Sequence, residues 1–297
     1  MPPAPLKPVV LVCLIGFAAW RIISTYPVFS QTWDEGGHLG VGMQWWDQGR
    51  YTYEVGNPPL ARIAIALGPF VSGVRGQGKD NAWQEGNAIL HAGGDYTRTL
   101  ALARMGVLPF FVLAAILVWA WGRRLFGEAA ALMTVLLFTT LPPVLAHAGF
   151  ATVDMALTAT CLAALMAWTA WLDRPTMKRS LLVGLATGLA VASKLSALLF
   201  LPACAVAIMA WRWVVSRQGQ AGGSRAGPTL AAIGVVVVSA SLVIWASYRF
   251  SWVPFTTAAE RPHELIDRLL GIAGPLHGLA YWVAETVPIP AHPFNPQ

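Results

Sequence analysis

The feature that most constrains this chain is a series of apolar runs, each close to the length needed to cross a membrane. A transmembrane helix needs about 20 mostly apolar residues, and seven stretches of the sequence approach that length. They lie near residues 8–28, 100–121, 127–147, 154–172, 180–194, 196–215 and 229–248. The series predicts an all-α integral membrane protein with about seven transmembrane helices, of which the fifth is short for a full span.

Charge and composition exclude a soluble protein and a nucleic-acid partner. Of the 297 residues, 56% are hydrophobic and 11% charged, whereas a soluble domain carries about 25% charged residues. The net charge of +6 comes largely from Lys and Arg in the short segments between apolar runs. That distribution is typical of cytoplasmic loops of a membrane protein. No aromatic residues interleave with these basic segments as a nucleic-acid platform would require.

The same basic residues predict the orientation of the chain. Lys7 precedes the first run, which we interpret as a retained span because no small-residue cleavage site follows it. The N-terminus is then inside, and Arg123 and Arg124 also fall inside. We expect a single domain over 1–297, with residues 30–98 as a long first extracytoplasmic loop and 249–297 as an external C-terminal segment. The expected location is a bacterial inner membrane, with the site facing the periplasm.

The two external segments contain helical patterns too short or too polar to span. Residues 30–98 hold 7 of the 14 acidic residues. Within them, His38–Gln48 and Leu60–Val74 have helical apolar spacing and are predicted to lie on the outer surface. Glu260–Gly271 is a further expected helix. No span closes the chain after it, so we expect this sequence to be the N-terminal part of a longer enzyme.

The first candidate site follows the first span directly. Asp34 and Glu35 are adjacent carboxylates at the membrane edge, where a carboxylate is costly unless it is paired or used. Asp34 could take a proton as a general base. The alternative is that Asp34 caps a helix that continues through His38.

Two further charges belong to the same outer face. Asp154 opens the fourth apolar run, either as a functional carboxylate or as a helix cap favoured by the helix dipole. Lys194 is the only charge between Arg179 and Arg212. An ammonium at that depth either binds an anionic head group or extends to the membrane surface.

A proline motif shapes the first loop. In Gly56–Arg62, Pro58 ends an extended piece and Pro59 is predicted to open a helix at its first position. Arg62 could reach a phosphate, or it could lie on a solvated face.

Taken in order, these motifs resemble the bacterial members of the protein-O-mannosyltransferase and aminoarabinose-transferase superfamily, the GT-C glycosyltransferases of the family-39-like group. The resemblance covers roughly residues 30–202. The positions that carry it are Asp34-Glu35, His38, Gly42, Gly49-Arg50-Tyr51, Pro58-Pro59-Leu60, Ala103-Arg104, Arg124-Leu125-Phe126-Gly127, Leu145-Ala146-His147-Ala148, Thr152-Val153-Asp154, Gly188-Leu189-Ala190 and Lys194.

The resemblance implies inverting transfer of a sugar from a polyprenyl-phosphate donor to a hydroxyl acceptor on a protein, lipid or glycan. It implies that Asp34 is the general base and Asp154 the second acidic residue, with Glu35 as a third catalytic candidate. The substrate-binding candidates are His38, Asn57, Arg62, Arg104, His147 and Lys194. Many relatives carry His or Lys before the Pro-Pro motif, where this chain has Asn57, and relatives continue for several more spans.

Several alternatives remain open at this level. A divalent metal between Asp34 and Asp154 is one, although two carboxylates are too few to assign a metal site. A secondary transporter would place its charges near the midplane within internal repeats, and no repeat is visible. A non-catalytic or degenerate membrane subunit is the stronger rival to an enzyme.

Overall fold

The computed structural model describes residues 6–54, 56–217, 228–254, 267 and 277–292, and this part of the chain is mainly helical. The helices are α1 (Leu6–Thr25), α2 (Trp33–Gln48), α3 (Pro59–Val71), α4 (Ala82–Ala92), α5 (Tyr96–Met105), α6 (Leu108–Phe126), α7 (Glu128–Thr140), α8 (Pro142–Gly149), α9 (Asp154–Asp173), α10 (Met177–Ser193), α11 (Ala197–Arg217), α12 (Leu230–Ser247) and α13 (His277–Thr286). Strands β1 (Trp252–Pro254) and β2 (Pro288–Pro290) pair antiparallel. The predicted helix Glu260–Gly271 lies, apart from Asp267, outside the described residues.

The long apolar helices confirm an all-α integral membrane protein. Five stretches are long and apolar enough to cross a membrane: Pro8–Thr25, Tyr96–Phe126, Asp154–Asp173, Ala197–Val215 and Leu230–Ser247. Helices α7 and α8 satisfy the test only together, and they are bent by 61° at Leu141. The bend falls where Pro142 and Pro143 follow, which lack the N–H groups that would continue the helix. The described residues therefore contain five spans, or six with the bent pair, and the predicted count of seven is not confirmed.

Short loops with basic residues meet at one end of the bundle. The Asp173 carboxylate accepts from Arg124 Nη2 and from Arg212 Nη1, each at 2.7 Å. Asp173 ends α9, Arg124 lies at the end of α6, and Arg212 lies near the end of α11. The ends of these three helices therefore lie together, at the end of the structure where Arg123 and Arg124 were predicted to face the inside.

Helices α2, α3 and α4 form a packed unit at the other end. The predicted helix His38–Gln48 lies within α2. The predicted helix Leu60–Val74 corresponds to α3, which ends earlier, at Val71, and α4 was not predicted. Most of α2 is buried rather than laid on a surface. The burial of α2 follows from its close crossing with α4. A Cβ at Gly40 would collide with the Ala82 carbonyl oxygen, and one at Gly86 would collide with the Gly36 carbonyl oxygen.

Helix α10 is held against α9 and α12. Gly184 and Gly188 leave room for Ser239 and Ala240 of α12, so the two backbones approach closely. At 17 residues α10 is shorter than the other long helices, as the sequence predicted. Since α9 begins at Asp154 and α10 is capped by Lys194, their packing brings those two residues to the same end.

Candidate functional site

A polar cleft of about 250 Å³ lies where α2, α3, α4, α9 and α10 converge. It brings together six of the nine predicted site residues, which are Asp34, His38, Asn57, Arg62, Asp154 and Lys194. The rest of its lining is Gly37, Glu54, Ala82, Trp83, Thr152 and Val153. Glu35, Arg104 and His147 are not in the lining.

Asp34 presents an unpaired carboxylate to this cleft. It lies in the first turn of α2, whose N-cap residue is Thr32, so the alternative that Asp34 caps the helix is wrong. The side chain is exposed, and among the described residues it has no hydrogen bond or ion pair. A carboxylate in this state can accept a proton or a hydrogen bond from a ligand.

Asp154 and Lys194 form an ion pair across the cleft. Lys194 Nζ lies 2.7 Å from Asp154 Oδ1, and both side chains are about one-third exposed. His147 Nδ1 lies 3.5 Å from Asp154 Oδ2, so His147 contacts the site from outside its lining. Val153, not Asp154, occupies the N-cap position of α9. Lys194 is therefore not an isolated ammonium, and Asp154 serves as its partner rather than as a helix cap.

Arg62 is buried and fully engaged by protein groups. Its side chain is 2% exposed, so the alternative of a solvated face is wrong. The guanidinium pairs with the Glu54 carboxylate and donates to the Tyr51 hydroxyl at 2.8 Å and to the carbonyl oxygens of Glu54 and Asn57. Arg62 thereby fixes the extended piece before α3 against the helix.

His38 is a neutral hydrogen-bonding group in the cleft wall. Its Nδ1 accepts from Arg62 Nε at 3.2 Å, so the ring proton lies on Nε2. Burial, and then the nearby Arg62 guanidinium, lower the pKa of His38 to about 3. His38 therefore acts as a donor at neutral pH and not as a cation.

Glu35 and Arg104 form a separate, buried centre. Arg104 donates to both Glu35 oxygens, at 2.8 and 3.0 Å. Its remaining N–H groups are directed at the carbonyl oxygens of Tyr26, Phe29 and Ser30. The Glu35 carboxylate also accepts from the Ala151 N–H at 2.8 Å and from the Thr32 N–H at 2.7 Å. These contacts join the end of α1, the start of α2, α5 and the segment before α9.

Two residues of the cleft lining carry a donor that has no partner in the described part of the chain. Trp83 Nε1 and Thr152 Oγ1 are buried and make no hydrogen bond, which is uncommon for buried polar atoms. Neither residue was singled out from the sequence, and neither was Glu54. Thr152 lies within the Thr152-Val153-Asp154 motif, whereas nothing distinguishes Trp83 from the other 13 Trp residues.

The charges that line the cleft nearly balance. Asp34, Glu54 and Asp154 contribute three carboxylates against the two cations Arg62 and Lys194, which leaves one net negative charge when His38 is neutral. Among the described residues, no group of three or more His, Cys, Asp or Glu side chains could hold a metal ion.

Comparison with known proteins bears on the class of this chain. Residues 102–245, which include Arg104, His147, Asp154 and Lys194, match a family model of glycosyltransferases. With the apolar helices, this match supports a multi-pass membrane glycosyltransferase that resembles the GT-C enzymes. The matched family is described as dolichyl-phosphate-mannose-protein mannosyltransferase. Asp34 and the α2–α4 unit precede the matched range. No curated protein and no solved structure matches the chain.

Proposed function

We propose that this chain moves a sugar from a polyprenyl-phosphate donor to a hydroxyl acceptor on the extracytoplasmic side of a bacterial inner membrane. The observation that carries the proposal is that the unpaired Asp34 carboxylate and the Lys194 ammonium line one cleft at one end of the spans. A donor anchored in the bilayer by its lipid tail holds its phosphate at the membrane surface, within reach of such a cleft.

Asp34 is the proposed general base. The acceptor oxygen forms a bond to the anomeric carbon as the bond from that carbon to the phosphate oxygen breaks. The acceptor proton passes to the Asp34 carboxylate, and the phosphate leaves with the electron pair, which inverts the anomeric centre. A positioned base typically contributes about 10²–10⁴-fold to the rate. Of the acidic residues in the lining, Asp34 alone has no cationic partner among the described residues.

Lys194 is the proposed partner of the departing phosphate. An ammonium has three donors, so Lys194 can keep its 2.7 Å contact to Asp154 and still donate to a phosphate oxygen. Positive charge placed where negative charge develops is often the largest contribution to catalysis. Arg62 and Arg104, the other candidate cations, already use their donors within the protein. We therefore assign them to holding the loop and α2 in place.

Neutral polar side chains form part of the cleft lining and suit a sugar ring. His38, Trp83 and Thr152 lie in this lining without adding charge. The cleft volume of about 250 Å³ is below the range of about 300–1,000 Å³ typical of drug-sized ligands. We infer that the transferred group is a single sugar rather than an oligosaccharide.

The test is a transfer assay with the full chain in lipid nanodiscs and a set of radiolabelled polyprenyl-phosphate sugars. Because the acceptor is not defined, the readout is release of polyprenyl phosphate with and without membrane extract as the source of acceptor. We expect at least one sugar donor to be consumed by wild type and not by Asp34→Asn. Donor binding without turnover for every sugar would instead support a non-catalytic membrane subunit. Repeating the assay with a chelator tests for a required divalent metal.

A further inference from the structure

A second cavity lies between α1 and α8 and shares no residue with the polar cleft. It is an open groove of about 590 Å³. Its walls are largely apolar and aromatic. Its lining includes Phe17, Trp20, Arg21, Phe29, Ala146 and Phe150.

Arg21 is a charge inside a membrane span. It lies four residues before the end of the stretch Pro8–Thr25. Its side chain is exposed, and no ion pair or side-chain hydrogen bond satisfies it in the part of the chain that the structure describes. A charged side chain within a span is costly unless it is paired or reaches the interface. Four helical residues correspond to about 6 Å, a distance that an arginine side chain can extend to reach the head-group level.

The groove is nearly as long, measured along α1, as one leaflet of the hydrocarbon core is thick. It is lined on α1 from Phe17 to Thr25, and nine helical residues rise about 12 Å along the axis. Half of the hydrocarbon core is about 15 Å thick. An acyl chain in the groove would therefore run from the end of α1 toward Phe17, while its head group lies at the level that the Arg21 side chain reaches.

We propose that this groove is a binding site for one anionic glycerophospholipid, whose phosphate pairs with Arg21. A guanidinium can hold a phosphate through two parallel hydrogen bonds. The net negative charge of such a lipid matches the unpaired cation, whereas a zwitterionic lipid would bring its own cation close to the guanidinium. The proposal does not depend on sugar transfer, because the groove and the cleft have separate linings.

The site also explains how α8 is supported. At its end, α8 packs on α1 through Gly149, whose Cβ position lies 3.6 Å from Thr25 Oγ1. Two residues further on, the Ala151 N–H donates to Glu35. A lipid in the groove covers the rest of the gap between α1 and α8 and so braces the segment that leads to Asp154.

The test measures lipid retention directly. The full chain is purified in detergent, delipidated, and titrated with phosphatidylglycerol or with phosphatidylcholine of the same acyl chains, and bound lipid is counted by native mass spectrometry. We expect wild type to retain one phosphatidylglycerol with at least tenfold preference. Arg21→Gln should lose the preference. Ala146→Trp, which fills the groove but keeps the charge, should lose the bound lipid.

The controls distinguish binding at this groove from nonspecific attraction of anionic lipids to the basic residues of the protein. Arg123→Gln removes an exposed arginine at the opposite end of the bundle and should leave retention unchanged. Thermal unfolding midpoints show whether each variant is folded. Equal retention of both lipids by wild type, unchanged retention in Arg21→Gln, or preference for a polyprenyl phosphate over phosphatidylglycerol would each overturn the proposal.

Discussion

Glu35 and Arg104 form a two-point ion pair in which each side chain is only 1% exposed. Removing one partner of a buried pair leaves an uncompensated charge and typically costs about 3–5 kcal/mol. We expect Glu35→Gln to lower the thermal unfolding midpoint of the detergent-solubilised chain strongly. Arg123→Ala breaks a half-exposed pair with Glu128, which should cost no more than about 1 kcal/mol. Equal midpoints for the two variants would show that the buried pair contributes little to stability.

Asp34→Asn should abolish sugar transfer while the protein accumulates and unfolds as wild type does. The amide keeps the size of the side chain but cannot accept a proton, so we expect a rate loss of about 10²–10⁴-fold. The matched control is Asp80→Asn, an exposed acid of the same external segment that does not line the cleft. Wild-type turnover in Asp34→Asn would remove the base assignment.

Lys194→Gln should raise the apparent KM for the lipid-linked donor more than tenfold. The partly exposed ion pair with Asp154 is worth about 1 kcal/mol or less to folding, so the unfolding midpoint should change little. Lys194→Arg keeps the charge and should recover part of the loss. Lys178→Gln, an exposed lysine outside the cleft, is the control. An unchanged KM in Lys194→Gln would indicate that the ammonium serves only to balance Asp154.

His38 should make stability depend on pH. Its pKa falls to about 3 in the folded state, so only the unfolded chain gains a proton as the pH drops below 6.5. The contribution of His38 to the free energy of unfolding is fully present above about pH 6.5. It decreases as the pH falls toward 3, at up to about 1.4 kcal/mol per pH unit. Arg62, Lys194 and Asp154 are the charges that act on it.

The prediction is checked by measuring the thermal unfolding midpoint as a function of pH between 6.5 and 5. This range lies above the pH at which most carboxylates titrate. His38→Asn, which can still accept from Arg62, should flatten the curve, and His91→Gln should not. A curve of wild-type slope in His38→Asn would assign the pH dependence to other groups.

The crossing of α2 and α4 should not accept even one methyl group at its centre. A Cβ at Gly86 would collide with the Gly36 carbonyl oxygen, whereas one at Gly234 in α12 meets nothing within 4 Å. We expect Gly86→Ala to lower the unfolding midpoint and to reduce donor binding at the neighbouring cleft. Gly234→Ala should have the wild-type midpoint or a slightly higher one, because alanine favours a helix.

The sequence was informative where a residue's environment follows from its neighbours along the chain. Apolar runs identified most of the long helices, and an unusual charge at the edge of such a run pointed to Asp34, Asp154 and Lys194. All three line one cleft. The proline motif likewise identified the start of α3, with Pro59 in its first turn.

The sequence was uninformative where partners are distant in the chain. Glu35 and Arg104 are 69 residues apart, and the pairing of Arg62 with Glu54 depends on how the extended piece folds back. Both arginines therefore looked like free cations available to a phosphate. Helix α4 and Trp83 were also missed, although Ile89 and Leu90 of this short helix are buried.

The ion pair of Glu35 with Arg104 also fixes the rotation of α2 about its axis, and with it the direction of the Asp34 side chain. Successive residues on a helix are separated by about 100° around the axis, so locking one carboxylate into Arg104 determines the direction in which position 34 points. Inserting a single residue between Asp34 and Glu35 would rotate the Asp34 carboxylate out of the cleft without altering its chemistry. Of the two adjacent acids, Glu35 thus fixes the start of α2 through Arg104, and this determines where the proposed base Asp34 points.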